Sequence, residues 1–217
     1  VPKLKPQPKN KLKVYTLEVG SLQTNCYLLV ETSSKKTLII DPGDDEEFIK
    51  NKIADNNLIP EGILATHGHF DHILAVSDLQ IDFKIPFCLN QKDSFLIKKA
   101  KESASFFLKR KMEMVVPKVN INLENKPKIK VGNQVIEVIK VPGHTPGSIA
   151  LYVKEGGLLF GGDLLFAGGL VGRTDFSYGD AQKLKKSLLS ISKLPGEVMV
   201  YPGHGEPFLL KDFEFVP

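Results

Sequence analysis

The chain has 217 residues, 42% of them hydrophobic and 25% charged, which is enough to bury one core and lies within the range of a single domain. No apolar run reaches the roughly 18 residues that a membrane span needs, and the N-terminus lacks the apolar stretch of a signal peptide. No membrane-spanning helix and no membrane partner are therefore expected, and the expected location is cytoplasmic. The formal net charge of +4 is local: Lys3, Lys5, Lys9, Lys11 and Lys13 crowd a Pro-containing N-terminal arm, and subtracting those five leaves the body at −1. That balance does not argue for a nucleic-acid partner, and none is expected.

Residues 1–13 read as a flexible basic arm and residues 14–217 as one domain. From Val14 the segments VYTLEV, NCYLLVET and TLIIDPG are short, rich in β-branched or aliphatic residues, and closed by Gly, Ser or Pro, which predicts a strand meander. DDEEF opens a helix whose apolar face is expected to hold Phe48, Ile49, Ile53 and Leu58; EGILAT is then a buried strand leading into THGHFDH. A second helix is expected from about Ile73 to Asp82, IPFCL as a strand, and a longer basic helix from about Gln91 to Lys111. Strands return with IKVGN, QVIEVIKVPG, SIALYV and GLLFGGD, before a helix capped by Asp180 with Ala181, Leu184, Leu188 and Ile191 on one face, and a last strand, VMVYPGHG. Strands and then helices, twice over, imply two packed sheets with helices on their outer faces. Cys26 and Cys88 sit within apolar strands and read as reduced core thiols.

All five histidines fall in loops that follow predicted strands, where a rigid sheet can aim a side chain. His67, His69, Asp71 and His72 follow EGILAT; His144 follows QVIEVIKV; Asp163 follows GLLFGG; His204 follows VMVY. Four donors in six residues cannot all reach one ion from an extended segment, because alternate side chains point opposite ways. A turn splits them, so that His67 and His69 share one ion with His144, and Asp71 and His72 share a neighbouring ion with His204. Asp163, with two carboxylate oxygens, is suited to bridging the two. Two divalent ions are expected, zinc as the first choice, with iron and manganese also compatible with imidazole and carboxylate ligands.

The order of these motifs, an early aspartate in LIIDPG, the HxHxDH core, then His144, Asp163 and His204, resembles the metallo-β-lactamase superfamily over about Val14 to Pro207. The resemblance implies an α/β fold, a four-layer αββα sandwich of two mixed sheets flanked by helices with the metals at one edge. It implies the same ligand sets and puts Asp41 beside a ligating imidazole as an orienting carboxylate. Asp163 and the segment GGLVGRTDF resemble the glyoxalase II group, whereas the best-known zinc β-lactamases have a cysteine at the position of Asp163. Only ten residues follow Pro207, so the likeness is to the short members that lack a helical glutathione-binding domain.

The chemistry implied is attack by metal-activated water on an acyl carbon, since a bound metal lowers the pKa of water from 15.7 to about 7. Tyr178 and Arg173, on the Gly-rich loop, are candidate substrate-binding residues that would steady the oxyanion, and Asp71 and Asp163 are candidate catalytic carboxylates. With every histidine committed, none remains as general acid, and this favours a thiolate leaving group, whose parent thiol has a pKa of about 8.5. A small-molecule thioester is the expected substrate. Alternatives are a persulfide dioxygenase using one iron on His67, His144 and Asp163, as the resemblance implies, a β-lactamase, a non-catalytic metal-binding protein, and a ribonuclease. The ribonuclease reading rests on residues 92–118, where eight basic side chains face Asp93, Glu102 and Glu113. Phe106, Phe107 and Phe166 are expected either in the core or around a pocket.

Overall fold

The computed structural model describes residues 11–214. Strands β1 (Leu12–Val19), β2 (Thr24–Glu31) and β3 (Lys36–Ile40) form the antiparallel meander, and β1 begins two residues inside the expected arm. The rest of the arm, residues 1–10, lies outside the described residues. Helix α1 (Glu46–Asp55) crosses to β4 (Ile59–Leu64), α2 (Val76–Phe83) to β5 (Phe87–Leu89), and α3 (Ser94–Phe107) to β6 (Val119–Asn122). Each crossover joins parallel neighbours, so the first sheet runs β1-β2-β3-β4-β5-β6. The second sheet runs β12-β11-β10-β9-β8-β7, from β7 (Lys128–Val131), β8 (Gln134–Lys140), β9 (Ile149–Val153), β10 (Leu158–Gly162), β11 (Met199–Pro202) and the two-residue β12 (Phe208–Leu209). Helix α4 (Ala181–Ile191) makes its one parallel crossover, from β10 to β11.

The period of two in strand side chains builds the layers. All eight residues of β2 are buried, yet they face two different cores. Cys26, Leu28 and Val30 meet Ile49 and Ile53 of α1, Val76 and Leu79 of α2, and Ile97 and Ala100 of α3. Tyr27 and Leu29 turn the other way, onto Ile136, Leu151, Val153 and Phe160 of the second sheet. The far face of that sheet, through Ala150, Leu159 and Val200, packs on Leu184, Leu188 and Ile191 of α4. The order is helices, sheet, sheet, helix. Leu29 is fully buried between the sheets, where truncation to alanine costs about 2–5 kcal/mol.

Several expected boundaries move for local reasons. Phe48 is half exposed because its neighbour Ile49, paired at i,i+4 with Ile53, fixes which face of α1 turns inward, and adjacent residues point about 100° apart. α2 starts later than Ile73 because Phe70–His72 first makes a 3₁₀ turn. α3 is shorter than 91–111, preceded by a 3₁₀ turn over Gln91–Asp93 and followed by Lys109 in the left-handed region, φ 51°. Asp180 caps α4 as expected, its side chain accepting from Lys183 N at 2.9 Å, although Ala181 is exposed. The strand β6 and the short β12 were not resolved as separate strands by the sequence pattern. Cys26 and Cys88 are buried free thiols. Among the described residues no helix is long and apolar enough to cross a membrane.

Candidate metal centre

Strand direction gathers the loops. β3, β4 and β5 are mutually parallel, and β8, β10 and β11 share one direction in the second sheet, so their C-terminal ends lie together. The two sheets are tied at this edge: Asn25 Nδ2 and Tyr27 Oη both donate to the Pro202 carbonyl, at 3.1 and 2.5 Å, and Ile149 N donates to Thr66 O at 2.9 Å. Asp41 follows β3, His67 to His72 follow β4, His144 follows β8, Asp163 follows β10 and His204 follows β11. All seven candidate ligands converge here.

Nε2 of His67 lies 3.0 Å from Nδ1 of His69, which lies 2.9 Å from Nε2 of His144. Nitrogens around a tetrahedral zinc at about 2.05 Å sit about 3.3 Å from one another, so these three are close to a ligand tripod. Beside them, Asp71 Oδ2 lies 3.4 Å from His204 Nε2 and 3.7 Å from His72 Nε2. The 3₁₀ turn at Phe70–His72 separates the pairs, sending Asp71 and His72 away from His69. Asp163 stands between the two sets: Oδ2 is 3.6 Å from His144 Nε2 and 3.8 Å from His204 Nε2, and Oδ1 is 3.4 Å from His72 Nε2. Three overlapping groups could each hold an ion: His67 with His69 and His144, His67 with His72 and Asp163, and Asp71 with His72 and His204.

The outward nitrogens explain why the inward ones are free to ligate. His144 Nδ1–H donates to the Arg173 carbonyl at 2.8 Å, and His204 Nδ1–H donates to that of Leu22 at 3.0 Å. Carbonyls only accept, so the proton on Nδ1 leaves Nε2 of each ring as the nitrogen whose lone pair is available to an ion. Thr66 Oγ1 donates to Asp41 Oδ2 at 2.6 Å and so accepts from His67 Nδ1 at 3.1 Å. His69 Nε2–H points at Tyr178 Oη, 2.8 Å away. His72 Nδ1 is 3.1 Å from Asp41 Oδ2, an ion-pair distance without hydrogen-bond alignment. Asp41 itself accepts from Thr66 N at 2.6 Å.

Burial, reinforced by His72 and His69, holds the His67 imidazole well below its ordinary range, and burial with the neighbouring His144 holds His69 down to about 3. Burial also opposes charge on His72, but Asp163, Asp71 and Asp41 together outweigh it and raise its pKa. Desolvation likewise works against Asp163 and is overcome by His72, His67 and His144, which keep the carboxylate ionised. His72 Nε2 and Asp163 Oδ1 are buried with no hydrogen-bond partner. Buried atoms of this kind are normally satisfied, and two orphaned lone-pair donors at the centre of an imidazole and carboxylate cluster fit a divalent ion.

A cavity of 470 Å³ opens over the cluster, walled by Leu22, Phe70, Leu96, Phe107, Phe176 and Tyr178. Arg173 also lines it, but its guanidinium is held by Asp175 at 2.6 and 2.5 Å and lies over the Phe176 ring. Tyr178 touches the histidine cluster itself, at His69 Nε2. Phe107 is a wall residue, half exposed; Phe106 is 77% exposed and belongs neither to the core nor to this cavity, and Phe166 is half-buried near His204. Of the basic stretch, Lys101 and Lys111 are paired with Glu113, and Lys92 with Glu124. Asp93, counted in the sequence as one of its acids, is instead wholly buried against the histidine loops. No sequence signal distinguishes it from a surface charge at a helix start.

Residues 19–204 match the metallo-beta-lactamase superfamily. The chain belongs to that superfamily. It is 33% identical, over 89% of this chain and 91% of the relative, to the hydroxyacylglutathione hydrolase GloC of Haemophilus influenzae, and 35% identical, over 89% and 90%, to the probable metallo-hydrolase YqgX of Bacillus subtilis. Among solved structures, the superfamily likeness includes the B3 metallo-beta-lactamase BLEG-1 at 33% identity and TM-score 0.85, covering 92% of this chain and 95% of that one. TTHA1623, solved in a di-iron-bound form, is similar at 36% identity and TM-score 0.82, with 92% and 96% covered. ETHE1 from Myxococcus xanthus is similar at 26% identity and TM-score 0.75, with 92% and 80% covered. The two mixed sheets with flanking helices are the superfamily sandwich.

Proposed function

We propose that the chain is a dinuclear metal-dependent hydrolase that cleaves a small-molecule thioester such as an S-acylglutathione, releasing a thiol and a carboxylic acid. His67, His69 and His144 would hold one ion, Asp71, His72 and His204 the second, and Asp163 would serve both. Zinc is the first choice, with iron and manganese compatible with the same donors. Two ions at these positions supply water that is nucleophilic near neutral pH and a Lewis acid for the acyl oxygen.

The observation that carries the thioester reading is the proton inventory. Every imidazole has its outward nitrogen placed against a protein acceptor or carboxylate and its inward nitrogen in the cluster, so no histidine is left to protonate a leaving group. Tyr178 is the neutral donor at the cavity wall; burial pushes its phenol up to about 12, so it stays protonated. Because its oxygen accepts from His69, its own hydrogen is free to point into the cavity at a developing oxyanion. A phenol this weak is a poor acid toward an amine, but a thiolate leaves without one, since the parent thiol has a pKa of about 8.5. The apolar walls at Leu22, Phe70 and Phe107 would exclude bulk water from the reacting carbon. The 33% identity to a hydroxyacylglutathione hydrolase supports the same substrate class.

The second reading is a one-iron persulfide dioxygenase on His67, His144 and Asp163, of which His144 Nε2 and Asp163 Oδ2 lie 3.6 Å apart. The test is thiol release from an S-acylglutathione by metal-loaded protein, run beside a chromogenic β-lactam and beside oxygen uptake with a glutathione persulfide. Thioester cleavage with kcat/KM of at least about 10⁴ M⁻¹ s⁻¹ is expected. Oxygen uptake without thiol release from the thioester overturns the proposal, as does a preference for the β-lactam.

A further inference from the structure

The first histidine set is assembled from two chain segments with no covalent link near the site: the His67-Gly68-His69 loop after β4 and the His144-Thr145 loop after β8. Asp93 belongs to a third segment, the 3₁₀ turn after β5, and is wholly buried. Its Oδ2 accepts from Gly68 N at 2.9 Å and from Thr145 Oγ1 at 2.6 Å, and its Oδ1 accepts from Gly147 N at 2.7 Å. One carboxylate thus grips the residue between two of the histidines and the residue directly after the third.

The glycines show that the fit is built. A Cβ on Gly68 would stand 2.9 Å from Asp93 Cβ and from its carbonyl oxygen, and a Cβ on Gly147 would stand 2.6 Å from Asp93 Cγ and Oδ1. Any side chain at either position would displace the carboxylate. Burying a charge is costly unless it is fully hydrogen-bonded, and the three donors to Asp93 are the compensation. No lysine or arginine pairs with it among the described residues.

We infer that Asp93 is a positioning residue for one metal site, a clamp that fixes the separation of His67 and His69 from His144 without touching the ion. The inference rests on those three histidines sharing an ion. It is selective, because Asp71, His72 and His204 have no hydrogen bond to Asp93 and are held by other groups. Asp93→Asn keeps the size but supplies one acceptor oxygen where two are used, turning an amide N–H against a backbone or hydroxyl donor.

The experiment is a titration of metal-free protein with zinc chloride against a chromophoric chelator, resolving the two binding steps, with thermal melts of the same samples. Asp93→Asn is expected to weaken one step by about 10–100-fold and leave the other within about twofold. Thr145→Val, which removes one of the three donors, is expected to weaken the same step less, and Thr145→Ser, which keeps the hydroxyl, to restore it. Thr145→Val also keeps the test decisive if the Asp93 variant fails to fold. Equal weakening of both steps, or a lowered melting temperature with both steps unchanged, overturns the clamp. A parent protein without two zinc steps overturns the ligand assignment beneath it.

Discussion

Replacing Asp163 by alanine removes a carboxylate that approaches histidines of both sets, with oxygens 3.4 Å from His72 Nε2, 3.6 Å from His144 Nε2 and 3.8 Å from His204 Nε2. The seven proposed ligands carry two formal negative charges, on Asp71 and Asp163, against four positive charges on two divalent ions. Alanine halves that compensation. We expect the metal content to fall from two ions to one or fewer, and thioester turnover to drop by at least the 10²–10³-fold, ~2.7–4 kcal/mol, that a single transition-state donor supplies. The metal-free protein should lose the stabilisation that the buried Asp163 and His72 give each other, so its melting temperature should fall as well. The assays are elemental analysis, thiol release, and thermal melts with and without chelator. Two retained ions with turnover within about twofold of the parent would refute the shared role, because a ligand common to both sites cannot be lost silently.

Other consequences follow from the same geometry. Asp41→Ala removes the acceptor of Thr66 N and Oγ1 and the carboxylate beside His72, and should weaken metal affinity by about 10–100-fold in a chelator competition. Tyr178→Phe keeps the ring against Phe95 and Phe176 but removes the hydroxyl; steady-state thiol release should show a lowered kcat with the metal content unchanged. Metal binding at pH 7 should release protons, detected as a dependence of calorimetric heat on buffer ionisation enthalpy. The sign follows from His72, whose desolvation is outweighed by Asp163, Asp71 and Asp41, so that it is protonated in the metal-free protein, while His67 and His69 are already neutral. The same raised pKa gives the metal-free protein a stabilising contribution from His72 that is complete below about pH 6.5 and is lost as pH rises through the folded value. Proton uptake on binding would contradict this account.

The layers were legible because a strand buried on both faces, such as β2, reads as a short continuous apolar run, and because α4 announces itself through Asp180 and the spacing of Leu184, Leu188 and Ile191. The site was legible because its donors cluster after strands, and parallel crossovers bring strand ends to one edge. Three features lay beyond the reach of sequence. Phe48 and Ile49 are equally apolar neighbours, and only packing decides which turns inward. Arg173 reads as a free cation at the loop, yet its charge is matched by Asp175 two residues on, and its carbonyl is what holds His144. Asp93 looks like one acid among many lysines, and its burial depends on two glycines, Gly68 and Gly147, that are 79 residues apart in the chain and meet only in the fold.

The central claim is that two ions occupy this edge of the sandwich. The most direct measurement is the metal content per chain, by elemental analysis of protein purified without chelators, taken on the same sample whose thiol release is assayed. Two ions per chain, with thioester cleavage lost on chelation and recovered on adding metal back, is the result predicted. One iron per chain, with oxygen consumption on a persulfide in place of thioester cleavage, would contradict it.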